Sequence, residues 1–190
     1  MTPQAGRVIA GTARSIRLDA PGPGTRPLAD RVKQTLFAIL EPDLPGANVL
    51  DLFAGSGAAG IEALSRGAAS ATFVERDART VRVIEANLER TGLATTARVI
   101  RADAVPWLTD ASSRAAAPFD IVIVDPPYAD REALLAALTA LVPMLAPDAR
   151  VVAKHFWRDV PPRRVGLLAS ERERRFGETS LTFYRRTEDA

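Results

Sequence analysis

Cysteine is absent from the 190-residue sequence and histidine occurs once, at His155. No disulfide framework and no thiolate metal site can form, and a zinc centre or any other metal site is not expected. Lysine is nearly missing too: of 25 basic residues only Lys33 and Lys154 are not arginine. No run approaches the roughly 18 consecutive apolar residues of a membrane span. The opening MTPQAGRVIAG also lacks the charged-then-apolar order of a secretory signal. A membrane partner is therefore not expected, whereas a cytoplasmic address and a monomer are. With 47% apolar residues the chain can bury the core of one domain. Any chemistry must use carboxylates, hydroxyls, backbone groups and a borrowed cofactor.

Charge is unevenly distributed along the chain. Residues 1 to 33 carry six Arg/Lys against two Asp/Glu; residues 34 to 149 carry nine against 15; residues 150 to 190 carry ten against six. Both ends are thus net positive and the middle is net negative. Arginine at the ends suits phosphate and base recognition, since its planar fork offers several fixed donors.

The stretch APGPGTRPL, residues 20 to 28, is too rich in proline and glycine for a regular element and divides the chain. Residues 1 to 24 form a basic extension in which RVIAG and SIRLDA predict a small hairpin, with Met1 to Gly6 expected to be disordered. Such a short piece cannot hold its own core and must pack on the body or on a ligand. Residues 25 to 190 form the main domain. Asp30 opens a helix with Val32, Leu36, Phe37 and Leu40 at helical spacing. Strands NVLDLF, SATFVE, ARVIRAD, FDIVIV and ARVVAKHF then alternate with helices at about 58–65, 78–90, 105–108 and 131–145. Apolar strands with little period-2 pattern, alternating with helices, predict an α/β fold: a mostly parallel sheet covered on both faces. The last 25 or so residues hold two strand-like runs around a charged turn, an antiparallel ending.

In such sheets, ligands bind beyond the carboxyl ends of the strands. The first strand ends in LDLFAGSGAAG, where Gly55, Gly57 and Gly60 match G-x-G-x-x-G. Glu75 ends the second strand, where a carboxylate can accept both hydroxyl hydrogen bonds of a ribose; Asp103 ends the third. Asp51 discriminates between cofactors. A carboxylate just before the glycine loop repels a pyrophosphate and attracts a cationic amino-acid group, which disfavours a dinucleotide.

DLFAGSG resembles the first motif of the class I S-adenosylmethionine-dependent methyltransferases. The resemblance implies a Rossmann-like sheet of seven strands with the last antiparallel. It implies that Asp51 and the backbone of Phe53, Ala54, Gly55, Ser56 and Gly57 hold the methionine part of S-adenosylmethionine. Glu75 with Arg76 would hold its ribose, and Asp103 with Ala104 would lie against the adenine. The product would be S-adenosylhomocysteine.

The fourth strand delivers Asp125, Pro126, Pro127 and Tyr128 to the same edge. This D-P-P-Y is similar to the signature of enzymes that methylate exocyclic amino groups of bases. Such a nitrogen is a poor nucleophile, because its lone pair is delocalised into the ring. Asp125 and the Pro126 carbonyl can accept its hydrogens, the two prolines restrict the backbone, and Tyr128 offers a stacking face. Taken together, RVIAGTARSIRL, GTRPLADRVKQTLFAIL, VLDLFAGSGAAGIEALSRGA, VDPPY and RFGETSLTFY resemble the bacterial RsmD family, which methylates guanine N2 in 16S ribosomal RNA. That resemblance implies 16S rRNA, or the assembling small ribosomal subunit, as partner. It makes Arg7, Arg14, Arg17, Arg26, Arg31 and Lys33 candidates for phosphate or cofactor contacts. Family members more often show a glycine and a basic residue where this chain has Ser15 and Ile16. His155 is expected to be a structural, partly buried residue. The alternatives are an adenine-N6 methyltransferase acting on DNA or RNA, a nicotinamide-dependent oxidoreductase, and a non-catalytic RNA-binding protein on the same fold.

Overall fold

Strand β3, Asn48–Leu52, sits in the middle of the sheet because four of its five side chains are apolar enough, or well enough paired, to be buried. In the computed structural model, which describes residues 4–22, 28–128 and 130–187, it is flanked by two parallel neighbours. These are β4, Ser70–Glu75, and β6, Phe119–Val124. Beyond β4 lies β5, Ala97–Arg101, and beyond β6 lies β7, Leu145–Phe156. The chain then continues through β8, Arg164–Val165, β9, Leu168–Phe176, and β10, Thr179–Arg186. The resulting order is β5-β4-β3-β6-β7-β10-β9-β8. Strand β10 is antiparallel to both its neighbours, β7 and β9. The antiparallel ending agrees with expectation, while the count is eight rather than seven. The extra member is the two-residue edge strand β8, too short to leave any hydrophobic pattern.

Among the described residues the α-helices are α1, Asp30–Leu40; α2, Ala58–Ser65; α3, Ala78–Thr91; α4, Ala104–Thr109; and α5, Arg131–Ala140. Alternation along each strand sends side chains to opposite faces. Val49, Phe73, Ile121, Ile123 and Val152 pack on the side of α1, α2 and α3. Leu50, Leu52, Val74, Val122 and Val124 pack on the side of α4 and α5. This two-sided burial is why the strands read as unbroken apolar runs. Helix α5 ends five residues before the predicted boundary. Pro143 cannot continue the helical ladder, and a single 3-10 turn, Val142–Met144, bridges to β7.

The N-terminal strands β1, Gln4–Arg7, and β2, Arg17–Asp19, pair antiparallel as a hairpin. It begins earlier than expected, since Gln4 to Gly6 are strand rather than disordered. Ala5, Val8, Ala13 and Leu18 are buried in the same core as α1 and α2. The attachment is polar as well. Glu62, wholly buried on α2, accepts the N–H groups of Ile9 (2.7 Å) and Ala10 (3.0 Å) and the Nε of Arg66 (2.8 Å). A Cβ on Gly11 would fall 1.7 Å from the Ser65 carbonyl oxygen, so only glycine lets the hairpin approach the end of α2 this closely. Ser15 has φ of 71°, in the left-handed region that favours glycine. Chain entry into the main domain at residues 23–27 lies outside the described residues.

Candidate active site

The sheet order reverses between β3 and β6: β4 and β5 lie to one side of β3, and β6 and β7 to the other. Such a switch point opens a crevice at the strand ends, because the two connections leave in opposite directions. Here the crevice has a volume of about 490 Å³, ample for a nucleoside-sized ligand.

One wall is the loop after β3. Phe53, Gly55 and Gly57 all have positive φ, at 59°, 55° and 75°. For Phe53 that conformation is strained, and flanking hydrogen bonds hold it. Ala54 N–H donates to Val74 O at 3.1 Å and Gly57 N–H to Ala54 O at 2.8 Å. Gly60 is needed for another reason. A Cβ there would lie 2.3 Å from the ring of Phe73, so the glycine lets α2 pack onto β4. Phe53, Ala54, Gly55 and Ser56 line the crevice, and Gly57 is the left-handed cap of α2 behind them.

Glu75, at the end of β4, accepts Gly55 N–H at 3.0 Å through one oxygen and Asp77 N–H at 3.0 Å through the other. It therefore ties the glycine loop to the start of α3 and keeps a lone pair on each oxygen for a ligand. Arg76 and Asp103 are exposed on the rim, and Ala104 is buried at the first turn of α4. Asn87, fully buried on α3, donates to the Ser56 carbonyl at 3.0 Å and exchanges two hydrogen bonds with the backbone of Asp19. It links the hairpin to the glycine loop, a tie no sequence spacing suggested.

Asp51 is 2% exposed, and one of its oxygens accepts Gly60 N–H at 2.9 Å. Burial pushes its pKa up to about 8; the Gly60 bond lowers it, and the nearby Asp125 and Glu75 charges raise it further. A carboxyl so held is a receptor for a cation. The residues therefore fit an α-amino acid cofactor: Asp51 for its ammonium, the loop backbone around it, and Glu75 for ribose hydroxyls.

At the other end of the crevice stands the tetrapeptide. Asp125 N–H donates to Leu52 O at 3.3 Å, which fixes the residue between β3 and β6. Pro126 is buried and Pro127 exposed. Among the described residues no N–H donates to the Pro126 carbonyl, whereas the Pro127 carbonyl accepts Asp130 N–H at 2.9 Å. Tyr128 OH lies 2.5 Å from Thr179 Oγ1, and its ring centroid is 6.3 Å from that of Phe156. The tyrosine is thus braced by β7 and β10.

Lys154 is the residue that sequence reading missed. Its Nζ donates to both oxygens of Asp125, at 2.6 and 2.8 Å, and lies 5.1 Å from the Tyr128 ring centroid. A signal existed. The parallel register pairs Val124 with Ala153, so the next residues on β6 and β7 are Asp125 and Lys154. Burial pushes the Asp125 carboxyl up from its usual value, and the charge and hydrogen bonds of Lys154 pull it down, with burial the larger effect. His155, next along, is 3% exposed. Its Nδ1 donates to the Phe156 carbonyl at 2.8 Å, which leaves Nε2 to accept from Thr182 Oγ1 at 2.9 Å. It is a structural residue.

The basic N-terminal candidates are placed differently from one another. Arg7, Arg14, Arg17 and Arg31 are exposed. Arg7 sits 3.5 Å from Asp30, and the Arg17 carbonyl accepts from Arg90. Arg26 lies outside the described residues. Lys33 must be reassigned: it is 0% exposed, donates to the Arg7 carbonyl and sits 3.6 Å from Asp30. Burial lowers its pKa. It fastens the hairpin to α1 and has no face toward a phosphate.

The family described as "Conserved hypothetical protein 95" matches residues 6–185. The "Putative rRNA methyltransferase YlbH" of Bacillus subtilis is 39% identical over 184 residues, 95% of this chain and 98% of that one. The "Ribosomal RNA small subunit methyltransferase D" of Escherichia coli is 45% identical over 123 residues, which span 64% of this chain and 60% of that protein. The chain belongs to the RsmD family of S-adenosylmethionine-dependent methyltransferases. Its fold agrees. The structure of "Putative methyltransferase yhhF" from Escherichia coli superposes with a TM-score of 0.83 at 35% identity, covering 97% of this chain and 98% of that one. An RNA methyltransferase from Salinibacter ruber in complex with S-adenosyl-L-homocysteine shares the fold at 18% identity, with a TM-score of 0.63 over 85% and 94% of the two chains. Within this family Lys154 is the feature that the motifs alone would not have brought to the site.

Proposed function

We propose that the protein methylates the exocyclic N2 amino group of a guanine in the 16S RNA of the small ribosomal subunit. The observation that carries this reading is the Asp125 carboxylate, fixed by Lys154 at one end of a crevice whose other end is a cation-seeking carboxyl and a glycine loop. The RNA specificity is supported by the names of the relatives at 39% and 45% identity.

S-adenosylmethionine supplies an electrophilic methyl group on a sulfonium, and Asp51, Glu75 and the Phe53 to Gly57 backbone would hold it. Asp125 accepts one hydrogen of the base amino group. Lys154 uses one lone pair on each carboxylate oxygen and so leaves others available. The Pro126 carbonyl accepts the second hydrogen. Together they favour a pyramidal nitrogen with its lone pair directed at the methyl carbon. The amino nitrogen would gain the methyl carbon as the donor's C–S bond breaks with its electron pair left on sulfur, and Asp125 would take the nitrogen's proton and pass it to solvent. Preorganised acceptors and proximity supply the acceleration. Tyr128, braced by Thr179 and Phe156, stacks on the extruded base and offsets part of the extrusion cost.

The test is to incubate unmodified small-subunit RNA with labelled S-adenosylmethionine and identify the nucleoside by mass. N2-methylguanosine is expected from the wild type and essentially none from Asp125→Ala, which still binds cofactor. Label in N6-methyladenosine, or full turnover by Asp125→Ala, overturns the reading.

A further inference from the structure

Among the described basic residues of the two chain ends, it is Lys154 of the C-terminal one that lines the crevice. Strand β7 leaves the catalytic edge as Lys154, His155, Phe156, Trp157 and Arg158, and the turn between β9 and β10 lies against it. Trp157 N–H donates to the Glu178 carbonyl at 3.0 Å, and Arg175 Nε donates to the Gly177 carbonyl at 2.9 Å. The same turn therefore fixes the backbone of Trp157 and the side chain of Arg175. The Arg175 guanidinium carbon lies 3.7 Å from the Trp157 ring centroid and that of Arg158 lies 4.8 Å away. The aromatic row continues inward: Trp157 to Phe156 at 6.2 Å between centroids, and Phe156 to Tyr128 at 6.3 Å. Tyr128 is the proposed stacking face of the target base.

Arg158 and Arg175 are exposed, and among the described residues no carboxylate lies within ion-pair distance of either. On β9, Glu171 is engaged by Arg150, and Arg172, Arg174 and Arg175 outnumber the remaining acid, Glu173. Two guanidinium groups held over one indole have already lost much of their rotamer freedom, so ordering them on a ligand costs less.

We propose that the Arg158–Trp157–Arg175 cluster is the grip for the single-stranded RNA next to the target base, with the two arginines on phosphates and the Phe156–Tyr128 rings guiding the adjoining nucleotide inward. The inference deepens the reading above and rests on it, since it takes the RNA strand to enter at Tyr128. It places phosphate contacts at this end of the sheet in addition to the exposed arginines of the N-terminal end, whereas Lys33, buried on α1, and Arg7, which faces Asp30, are engaged within the chain. Cationic groups over aromatic faces bind single strands through backbone charge and stacking without reading sequence.

The experiment uses the full chain and a fluorescein-labelled single-stranded RNA of mixed sequence, read by anisotropy across a salt series. Binding of S-adenosylhomocysteine serves as the check that each variant is folded. The double variant Arg158→Gln, Arg175→Gln should bind RNA about tenfold more weakly, with a salt slope reduced by about 1.4 for two lost phosphate contacts. Trp157→Phe should fall between it and the wild type. In parallel, methylation of small-subunit RNA should lose kcat/KM through KM in the double variant. Unchanged RNA affinity and salt slope in that variant overturn the proposal while wild-type methylation leaves the guanine reading standing. A cluster-dependent affinity with no guanine methylation by the wild type would support the grip and sink the reading. A wild type that binds no RNA overturns both.

Discussion

Asp51 should make cofactor binding a proton-coupled event. Burial holds its carboxyl at a pKa of about 8, so at pH 7 about nine-tenths of the protein carries it neutral. An ammonium seated beside it demands the ionised form. Deprotonation at pH 7 then costs about 1.4 kcal/mol, one pH unit below the pKa, and twice that at pH 6. The affinity for S-adenosylhomocysteine should accordingly rise about tenfold per pH unit from pH 6 and level off near pH 8. Titration calorimetry at pH 7 in buffers of different ionisation enthalpy should show about one proton released per ligand. The ligand-free protein carries the matching signature. Because the folded pKa is raised, the unfolded chain ionises first, and the contribution of Asp51 to stability declines by about 1.4 kcal/mol per pH unit between about pH 4 and pH 8. Asp51→Asn should abolish the pH dependence of binding and weaken the affinity at pH 8 most of all. A wild-type affinity flat from pH 6 to 8, with no buffer dependence, would refute both the neutral carboxyl and its role as ammonium receptor.

Lys154→Met should raise the Asp125 pKa further, by removing the charge and hydrogen bonds that pull it down, and move the acid limb of the kcat profile to higher pH, with Lys154→Arg restoring it; superimposable profiles would count against the pairing. Gly60→Ala should cost about 1–3 kcal/mol, since the new Cβ collides with the buried ring of Phe73, and should weaken cofactor binding by shifting the N–H that Asp51 accepts. An unaltered urea midpoint would show that the helix has room to move. Glu62→Ala leaves two backbone N–H groups and the Arg66 Nε without their acceptor and should destabilise the protein by about 3–5 kcal/mol in urea. Limited proteolysis should then release the hairpin first. A loss under 1 kcal/mol would mean that the hairpin is held by its apolar contacts alone.

The strand ends were legible in the sequence because each marks a change of physical regime, from an apolar run to an acid or a glycine. Asp51, Glu75, Asp103 and Asp125 could be named from that change alone, and all four line the crevice. Lys154 could not, for it lies inside a strand whose neighbour is settled only by sheet order. The role of Lys33 was misread for a related reason. A basic residue in a basic segment looks solvent-facing, yet the hairpin folds over it and supplies the Arg7 carbonyl as its acceptor. Glu62 shows the same limit. It reads as an ordinary surface acid of α2 until the hairpin covers that helix and every one of its eight residues is buried.

The sequence by itself determined the alternation of strand and helix, the glycine loop with its acid, and the tetrapeptide, because these are local: they depend on side-chain period and backbone freedom within a few residues. The tertiary structure alone decided which strand ends are neighbours. From that followed the Lys154–Asp125 pair, the bracing of Tyr128 by Thr179 and Phe156, and the stacking of Arg158 and Arg175 on Trp157. Residues 51, 125, 154 and 175 are far apart along the chain, and only the pairing of parallel and antiparallel strands brings them to one edge of the sheet.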